Sequence, residues 1–413
     1  MQNELDWLNA SALQPLAAAA RRAWSRSTLI SAPHSCSAPV KLIHPSKPRP
    51  HGSDTAGSWR LPQASSHATM PRVVVVGASF AGLYAAKGLR SIADVVLIDA
   101  SDEWEYTPGV HEVLGGRRKA DTILTSFSDV LPGVEFVKGV AVAAHESEVH
   151  VETNGSIKKI RYDHLIISVG CAYARPIKGQ LASSDRRAQL AGAQRELRDA
   201  SSVLVVGGGA VGVEVAGELA ANHEVTLTAR EDELVGDLPE AARRYALDSL
   251  RAKNVRVLLN AVGDEERSFD ARVACYGARP RTGWLATFVD RDARGFVQVD
   301  GRYRTSLRNV WAAGDCVAKD AKQYLAAYAH FEGEYLASMV ASDILGNAPP
   351  SPYIPPPRIV ALALGPDDGI LCYGRFVVVR GRLVPWVKAL VERWAVRLWP
   401  LPYELFRRLP ALA

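Results

Sequence analysis

Twice along this chain an unbroken apolar run gives way to three closely spaced small residues and then to a helical pattern, and few folds accept that order twice. The first copy is PRVVVVGASFAGLYAAKGLRSIADVVLIDA, residues 71–100. Val73 to Val76 is apolar at every position, as a parallel strand covered on both faces requires, and Gly77, Ser79 and Gly82 follow with G-x-S-x-x-G spacing. A helix starting in that turn points its free N–H groups and the positive end of its dipole at an anion. The block Gly77, Ala78, Ser79, Phe80, Ala81 and Gly82 is therefore a candidate pyrophosphate cradle. Val95 to Ile98 supply a second strand ending at Asp99 and Ala100, where an acid accepts from a ribose hydroxyl. In the second copy Ser202 to Val206 is the strand, and Gly207, Gly209 and Gly212, with Ala210 and Val211 among them, make a full G-x-G-x-x-G. Its helix runs on through Glu214 and Glu218, and its next strand, 224–228, ends at Ala229 and Arg230. Asp99 stands 22 residues after Gly77, and the matching position after Gly207 is Ala229. The second site thus lacks the acid that selects a free 2′-hydroxyl, while Arg230 suits a 2′-phosphate, a lean toward NADPH that leaves NADH open.

A chain of 413 residues, 48% of them apolar, has room for two or three domains with full cores. Its formal net charge of +5 sits at the ends. Residues 1–70 hold seven Lys/Arg against three Asp/Glu and residues 358–413 hold nine against four, so the body between them is acidic. That distribution argues against an extended nucleic-acid groove and for targeting or a membrane surface. Cys36, Cys171, Cys275, Cys316 and Cys372 stand singly, which excludes a C-x-x-C redox pair and disfavours a zinc site, so no metal is expected. No apolar run is long enough to span a bilayer; the nearest, 201–221, carries Glu214 and Glu218.

Residues 1–70 read as an extension. No acid occurs between Trp7 and Ser53, as in an organelle transit segment, although Glu4 and Asp6 are atypical of one; a disordered extension ahead of a start at Met70 is the other reading. After Asp99, EWEYTPGVHEVLGG (103–116) reads as an irregular segment passing near whatever the first domain binds. Alternating runs at 134–144, 148–152 and 158–162, with Asn154-Gly155 before the last, predict an antiparallel meander. The strand YDHLIISVG closes the segment at Val169 and Gly170. Further strands are expected at 254–259, at 271–276 leading into Gly277, and ahead of Gly314 and Asp315 in WAAGDC. Residues 322–346 predict a helix, PPSPYIPPP (349–357) a stiff linker, and 359–364, 370–373 and 375–379 three short strands, with helix from Val384.

With both glycine patterns and the late Gly-Asp in view, the chain resembles the flavoproteins with two dinucleotide-binding folds of the glutathione-reductase type. Within that group it is most similar to the apoptosis-inducing-factor-like flavoproteins of the ferroptosis-suppressor type, and next to the type II NADH:quinone dehydrogenases. The likeness covers 72 to about 408 and rests on GGGAVGVEVAGEL (207–219), WAAGDC (311–316) and ALALGPDDGI (361–370). It implies an α/β protein with two Rossmann-like domains and a small C-terminal β+α segment. The implied division is an extension at 1–70, an FAD domain at 71–180 and 286–348, an NAD(P)H domain at 195–285, and a C-terminal segment at 358–413. The resemblance puts FAD on Gly77, Ser79, Gly82, Asp99 and Asp315, with Pro108, Val140, Val169 and Gly170 nearby. NAD(P)H falls on Gly207, Gly209 and Gly212, with Glu214 near the nicotinamide. Lys322 and His330 resemble the lysine and histidine of the ferroptosis-suppressor pattern with one residue inserted, and Lys322 would start a helix whose N-terminus faces the flavin. Two features depart from the pattern: Ser79 replaces a glycine, and the hairpin ahead of Asp270 is nearly absent.

The implied reaction passes hydride from NAD(P)H to FAD and two electrons on to a quinone, with Glu214 and Lys322 as the candidate catalytic residues. Cys171, following the Gly170 turn, keeps a sulfide:quinone reductase in view. A long-tailed quinone is met at a membrane, and Trp386, Leu390, Trp394 and Leu398 recur every four residues beside Lys388, Glu392 and Arg397. Trp399, Tyr403, Phe406, Arg407 and Arg408 continue that character, as in a helix lying in the headgroup plane. The expected setting is therefore a membrane surface, mitochondrial by the N-terminal segment with a plastid membrane or a cytosolic membrane face as the alternatives, with a homodimer left open and no nucleic-acid partner. Two other readings stand beside it: a soluble NAD(P)H-dependent reductase of an electron-carrier protein, and a flavin-containing redox switch that binds a partner.

Overall fold

The computed structural model describes residues 70–178, 185–263 and 268–397; the expected targeting segment and the aromatic, basic tail from Leu398 onward lie outside the described residues. The first apolar run is β1 (Arg72–Val76), at the centre of a parallel sheet. Val73, Val74 and Val75 are fully buried, each contributing about 1.5–3 kcal/mol relative to exposure. α1 (Phe80–Leu89) leads to β2 (Asp94–Asp99), which pairs with β1 along its whole length. A short helix, α2 (Val110–Leu114), follows within the segment expected to be irregular.

The alternation over 134–144 divides at Gly139 rather than forming one meander strand. Glu135–Lys138 becomes β3 and joins the first sheet parallel to β2. Only Val140–Ala144 enters the antiparallel meander with Glu148–Thr153 and Ser156–Arg161. The cause is close approach: a Cβ at Gly139 would lie 2.6 Å from Val151, and the Gly139 N–H donates to the Asp99 carbonyl. Asn154 and Gly155, both at positive φ, make the expected hairpin turn. β4 (His164–Ile167) then pairs with the other side of β1.

The next helix, α3 (Arg186–Asp199), had no sequence signal, because it buries little besides Leu190 and Leu197. Asp185 caps it by accepting from the Ala188 N–H at 2.8 Å. The second glycine pattern builds β5 (Ser202–Val206), α4 (Ala210–Leu219), β6 (Glu224–Thr228), α5 (Glu240–Ala252), β7 (Arg256–Leu258) and β8 (Ala271–Ala274). Its four strands are parallel in the order β7-β6-β5-β8. Asp270 compensates for the trimmed hairpin, since its Oδ2 accepts from the N–H groups of Ser201 and Ser202 and from the Ser202 hydroxyl.

β9 (Val310–Ala312) returns the chain to the first sheet beside β4. The long helix expected from Lys322 starts later, as α6 (Ala326–Leu345), after a single 3-10 turn at Ala321–Gln323 closed by Gln323 N–H on the Asp320 carbonyl. β10 (Ile359–Ala363), β11 (Gly369–Tyr373) and β12 (Phe376–Arg380) form an antiparallel sheet, followed by α7 (Leu383–Val396). This module is clamped to the second sheet's helices. A Cβ at Gly217 of α4 would stand 2.6 Å from Leu364, and Asp368 accepts from Tyr245 at 2.8 Å, from Lys253 at 3.2 Å and from Ser249. Among the described residues no helix is long and apolar enough to cross a membrane.

Candidate functional site

The turn after β1 leaves no room for side chains beneath it. Gly77 has φ +100°, and its Cβ would lie 2.4 Å from the Ser168 carbonyl oxygen; a Cβ at Gly82 would lie 1.9 Å from the Gly77 carbonyl oxygen. Ser79, the position expected to carry glycine, has extended backbone and an exposed side chain, so its Cβ is accommodated. A cavity of about 610 Å³ opens above this turn. Ala78, Ser79, Phe80, Ala81, Asp99, Ala100, Pro108, Val169, Gly170, Gly314 and Asp315 all line it. Val140 does not, because the break at Gly139 carries it into the meander.

Asp99 accepts from the N–H groups of Ala78 at 2.7 Å and Ser101 at 2.9 Å, which fixes the carboxylate at the cavity edge. Burial pushes this carboxyl above its ordinary value, against those two donors and the Arg281 cation. Asp315 Oδ1 is hidden from solvent without a hydrogen-bond partner, while Oδ2 lies 3.6 Å from Lys178 Nζ. The Gly314–Asp315 turn is held from behind by residues that the sequence did not flag. Glu332, fully buried, accepts from the Gly314 N–H at 2.7 Å and from Lys319 at 2.6 Å. A glycine cradle, a fixed ribose acceptor and an orphaned carboxylate oxygen along one cavity are what the pyrophosphate, ribose and ribityl chain of FAD require, so FAD fits these residues.

The second cradle repeats the geometry. Gly207 has φ +120°, and a Cβ there would meet the Cys275 carbonyl at 2.7 Å; a Cβ at Gly212 would meet the Gly207 carbonyl at 1.8 Å. Above Gly209 nothing lies within 4 Å, so this face is open to a phosphate. Ala210 and Val211 begin α4 and line the first cavity. Gly277, at φ +83°, follows β8. Arg230 is 80% exposed and pairs with Glu231 at 2.9 Å.

Glu214 is not the exposed first-turn acid that a helix start alone would give. It is only 13% exposed and lines the cavity; its Oε1 accepts from the Ala363 N–H at 3.0 Å and from Lys388 of α7. Its Oε2 lies 3.9 Å from Nδ1 of His111, a buried residue of α2 that also lines the cavity. Burial first, then the cations of Lys388 and Arg117, hold this imidazole well below its ordinary value, so it is neutral. Sequence does not single out His111, and it reads Lys388 only as a charge beside the apolar stripe of the last helix, whereas the side chain turns inward to Glu214: their meeting spans more than a hundred residues each way, and no local pattern records it.

Lys322 lies in the turn ahead of α6 rather than on the helix, and His330 is not among the lining residues. His330 instead stacks on Tyr84 at 3.6 Å, with Nε2 3.1 Å from Glu334. Cys171 lines the cavity, but its thiol donates to the Asp315 carbonyl at 2.8 Å and burial pushes its pKa up to about 12. A thiol so protonated is a poor nucleophile, and among the described residues the cysteines are unpaired.

Comparison with known proteins agrees with this geometry. Ferroptosis suppressor protein 1 of Xenopus tropicalis is 27% identical over 355 residues, which are 75% of this chain and 92% of that protein. NDH2 from Plasmodium falciparum, solved in complex with NADH, superimposes with a TM-score of 0.66 at 13% identity, covering 80% of this chain and 96% of that one. An engineered water-forming NADPH oxidase, made from the Lactobacillus brevis NADH oxidase and bound to NADPH, superimposes with a TM-score of 0.62 at 22% identity over 73% of this chain and 74% of that one. Its described substitutions include a consecutive aspartate-to-alanine and alanine-to-arginine pair. The cofactors of this chain are FAD and NADH or NADPH. Residues 71–333 match the family of pyridine nucleotide-disulphide oxidoreductases, and the chain, with its two glycine cradles on two parallel sheets, belongs to that family as an NAD(P)H-dependent flavoprotein oxidoreductase.

Proposed function

We propose that this protein is an FAD-dependent NAD(P)H:quinone oxidoreductase that works at a membrane surface. One observation carries the reading. The far end of the cavity is walled by apolar residues of the C-terminal module, among them Ile359, Leu362, Leu371, Val387 and Val391, and Val391 is also 47% exposed on the outside of α7. Val391 thus borders both the cavity and the surface of the helix on which Leu383, Trp386, Leu390 and Trp394 are exposed, and we read it as the entry for an acceptor. A lipophilic acceptor is suited to such a route, whereas a water-soluble carrier protein has no use for it. Arg382, just ahead of α7, and Arg393, on it beside Trp394, are both exposed and bring charge suited to anionic headgroups. The relatives are consistent with it, since the similar solved structures include a sulfide:quinone oxidoreductase.

When bound, FAD would supply the two-electron chemistry between NAD(P)H and the acceptor. The chain supplies the positions: Asp99, Asp315 and the first cradle hold FAD, and the second cradle holds the NAD(P)H pyrophosphate. Glu214, one turn into α4, orients the nicotinamide end. Ala229–Arg230 at the end of β6 is the same dipeptide that the engineered NADPH oxidase acquired in place of its parent's Asp-Ala, which supports NADPH as the donor.

The test is quinone reduction by the FAD-loaded full chain with anionic vesicles, comparing NADPH with NADH and a long-tailed quinone with a short soluble one. NADPH-driven reduction of both quinones is expected. Replacing Trp386, Leu390 and Trp394 by serine should lower the rate with the long-tailed quinone severalfold and leave the soluble one unchanged. Rapid bleaching of the flavin by NADPH without reoxidation by either quinone would instead favour a carrier-protein reductase, and slow bleaching by both donors a redox switch.

A further inference from the structure

We propose that Lys388 is a positioning residue of the redox site, carried into it by the C-terminal helix, and that it holds Glu214 and His111 in their working arrangement. The proposal rests on the cavity being the FAD and NAD(P)H site and is independent of quinone as the acceptor. α7 presents two unlike faces. Its apolar side chains at 383, 386, 390 and 394 are exposed, while Val384 is fully buried and Lys388 and Glu392 turn inward. Lys388 reaches a carboxylate 174 residues away in sequence, on the helix that starts in the second cradle. Glu214 has the Ala363 N–H and Lys388 on one oxygen and His111 near the other, so the ammonium is the cation that compensates a nearly buried charge. His111 is 4% exposed, and its Nε2 has no hydrogen-bond partner. The charged groups around it are Glu214 from α4, Lys388 from α7, and Arg117 and Arg118 from the loop after α2. Glu112 and Glu392 are engaged by Arg118, whose guanidinium lies 2.7 Å from Glu392 and 2.9 Å from Glu112.

That second ion pair makes the inference testable, because Arg118–Glu392 and buried Val384 keep α7 docked when Lys388 is changed. Removing the ammonium leaves an uncompensated carboxylate beside a neutral imidazole, and a proton moving onto His111 is the cheapest repair. The measurement is stopped-flow bleaching of the flavin by NADPH in the full-length holoenzyme from acid to alkaline pH, with no quinone present. Lys388→Met is expected to slow bleaching about tenfold or more at neutral pH, since the nicotinamide end loses its fixed geometry, and to add an acid limb absent from the native profile. Lys388→Arg should restore the rate to within about threefold without that limb. Changing His111 to asparagine together with Lys388→Met should abolish the limb. NMR titration of the His111 ring gives a readout independent of turnover, with its midpoint moved upward in Lys388→Met alone. A Lys388→Met protein with the native rate and native profile would overturn the proposal, as would an equal loss in Lys388→Arg with no change in the His111 titration.

Discussion

Two cradle glycines, the third of the first pattern and the second of the second, make opposite demands. An added Cβ at Gly82 would collide with the Gly77 carbonyl oxygen, so Gly82→Ala should distort the first turn and yield protein purified without flavin, read from its visible absorbance. At Gly209 φ is −76° and the space is empty, so Gly209→Ala should fold and keep FAD. There the methyl stands where a phosphate approaches, and the expected effect is a KM for NADPH raised about tenfold, roughly 1.4 kcal/mol of binding. His111 makes a prediction about pH. Its folded pKa lies well below the ordinary imidazole value of about 6.5, so below that value the unfolded chain binds a proton the native one refuses. Stability is therefore full above about pH 7 and falls as the pH drops, by up to about 1.4 kcal/mol per unit, and His111→Asn should remove that part of the slope in urea titrations at stepped pH.

The elements that sequence revealed best are those whose signal is local. Each glycine cradle is written within thirty residues, because the strand, the tight turn and the helix start are neighbours in the chain. β3 was legible as a strand but not as a member of the first sheet, because its partner β2 lies over thirty residues away and its alternation is that of any half-buried strand. α3 was hidden because it is mostly polar, anchored by Arg186 on Glu105 at 2.5 Å rather than by an apolar stripe. The motif ALALGPDDGI was legible as a resemblance but not as a clamp. Its Asp368 carboxyl, despite burial, is held below the usual range by the Ser249, Tyr245 and Lys253 donors. A carboxylate so depressed stabilises docking of the C-terminal module above its unfolded value of about 4, and that contribution is lost as the pH falls through its folded value. Asp368→Asn should therefore loosen the module at neutral pH, costing about 1–2 kcal/mol. Hydrogen exchange over 359–380 and 383–397 is the check, with faster exchange expected there and unchanged exchange in β1 and β5.

At the scale of the whole molecule, the charge and the apolar surface are divided between parts. The acidic body carries both cradles, while the basic excess is shared by residues 1–70 and the C-terminal module, which also holds the exposed tryptophans Trp386 and Trp394. Attachment to a bilayer on this plan has two separable contributions. The apolar stripe contributes through burial of Trp386, Leu390 and Trp394 and is insensitive to salt. The arginines contribute about 1 kcal/mol each against anionic lipid, and salt screens them. Binding to vesicles rich in anionic lipid should accordingly weaken as salt rises and then level off at the affinity measured for neutral vesicles. Changing Arg382 or Arg393 to glutamine should lower affinity for anionic vesicles about fivefold each at low salt and leave neutral-vesicle binding untouched. The tryptophan-to-serine variants should do the reverse, lowering the salt-independent plateau. Tryptophan emission, shifted to the blue on neutral vesicles only when Trp386 and Trp394 are present, separates the two contributions. If arginine and tryptophan variants lose binding in parallel at every salt concentration, α7 is not lying with this face in the headgroup plane, and the route from bilayer to cavity past Val391 falls with it.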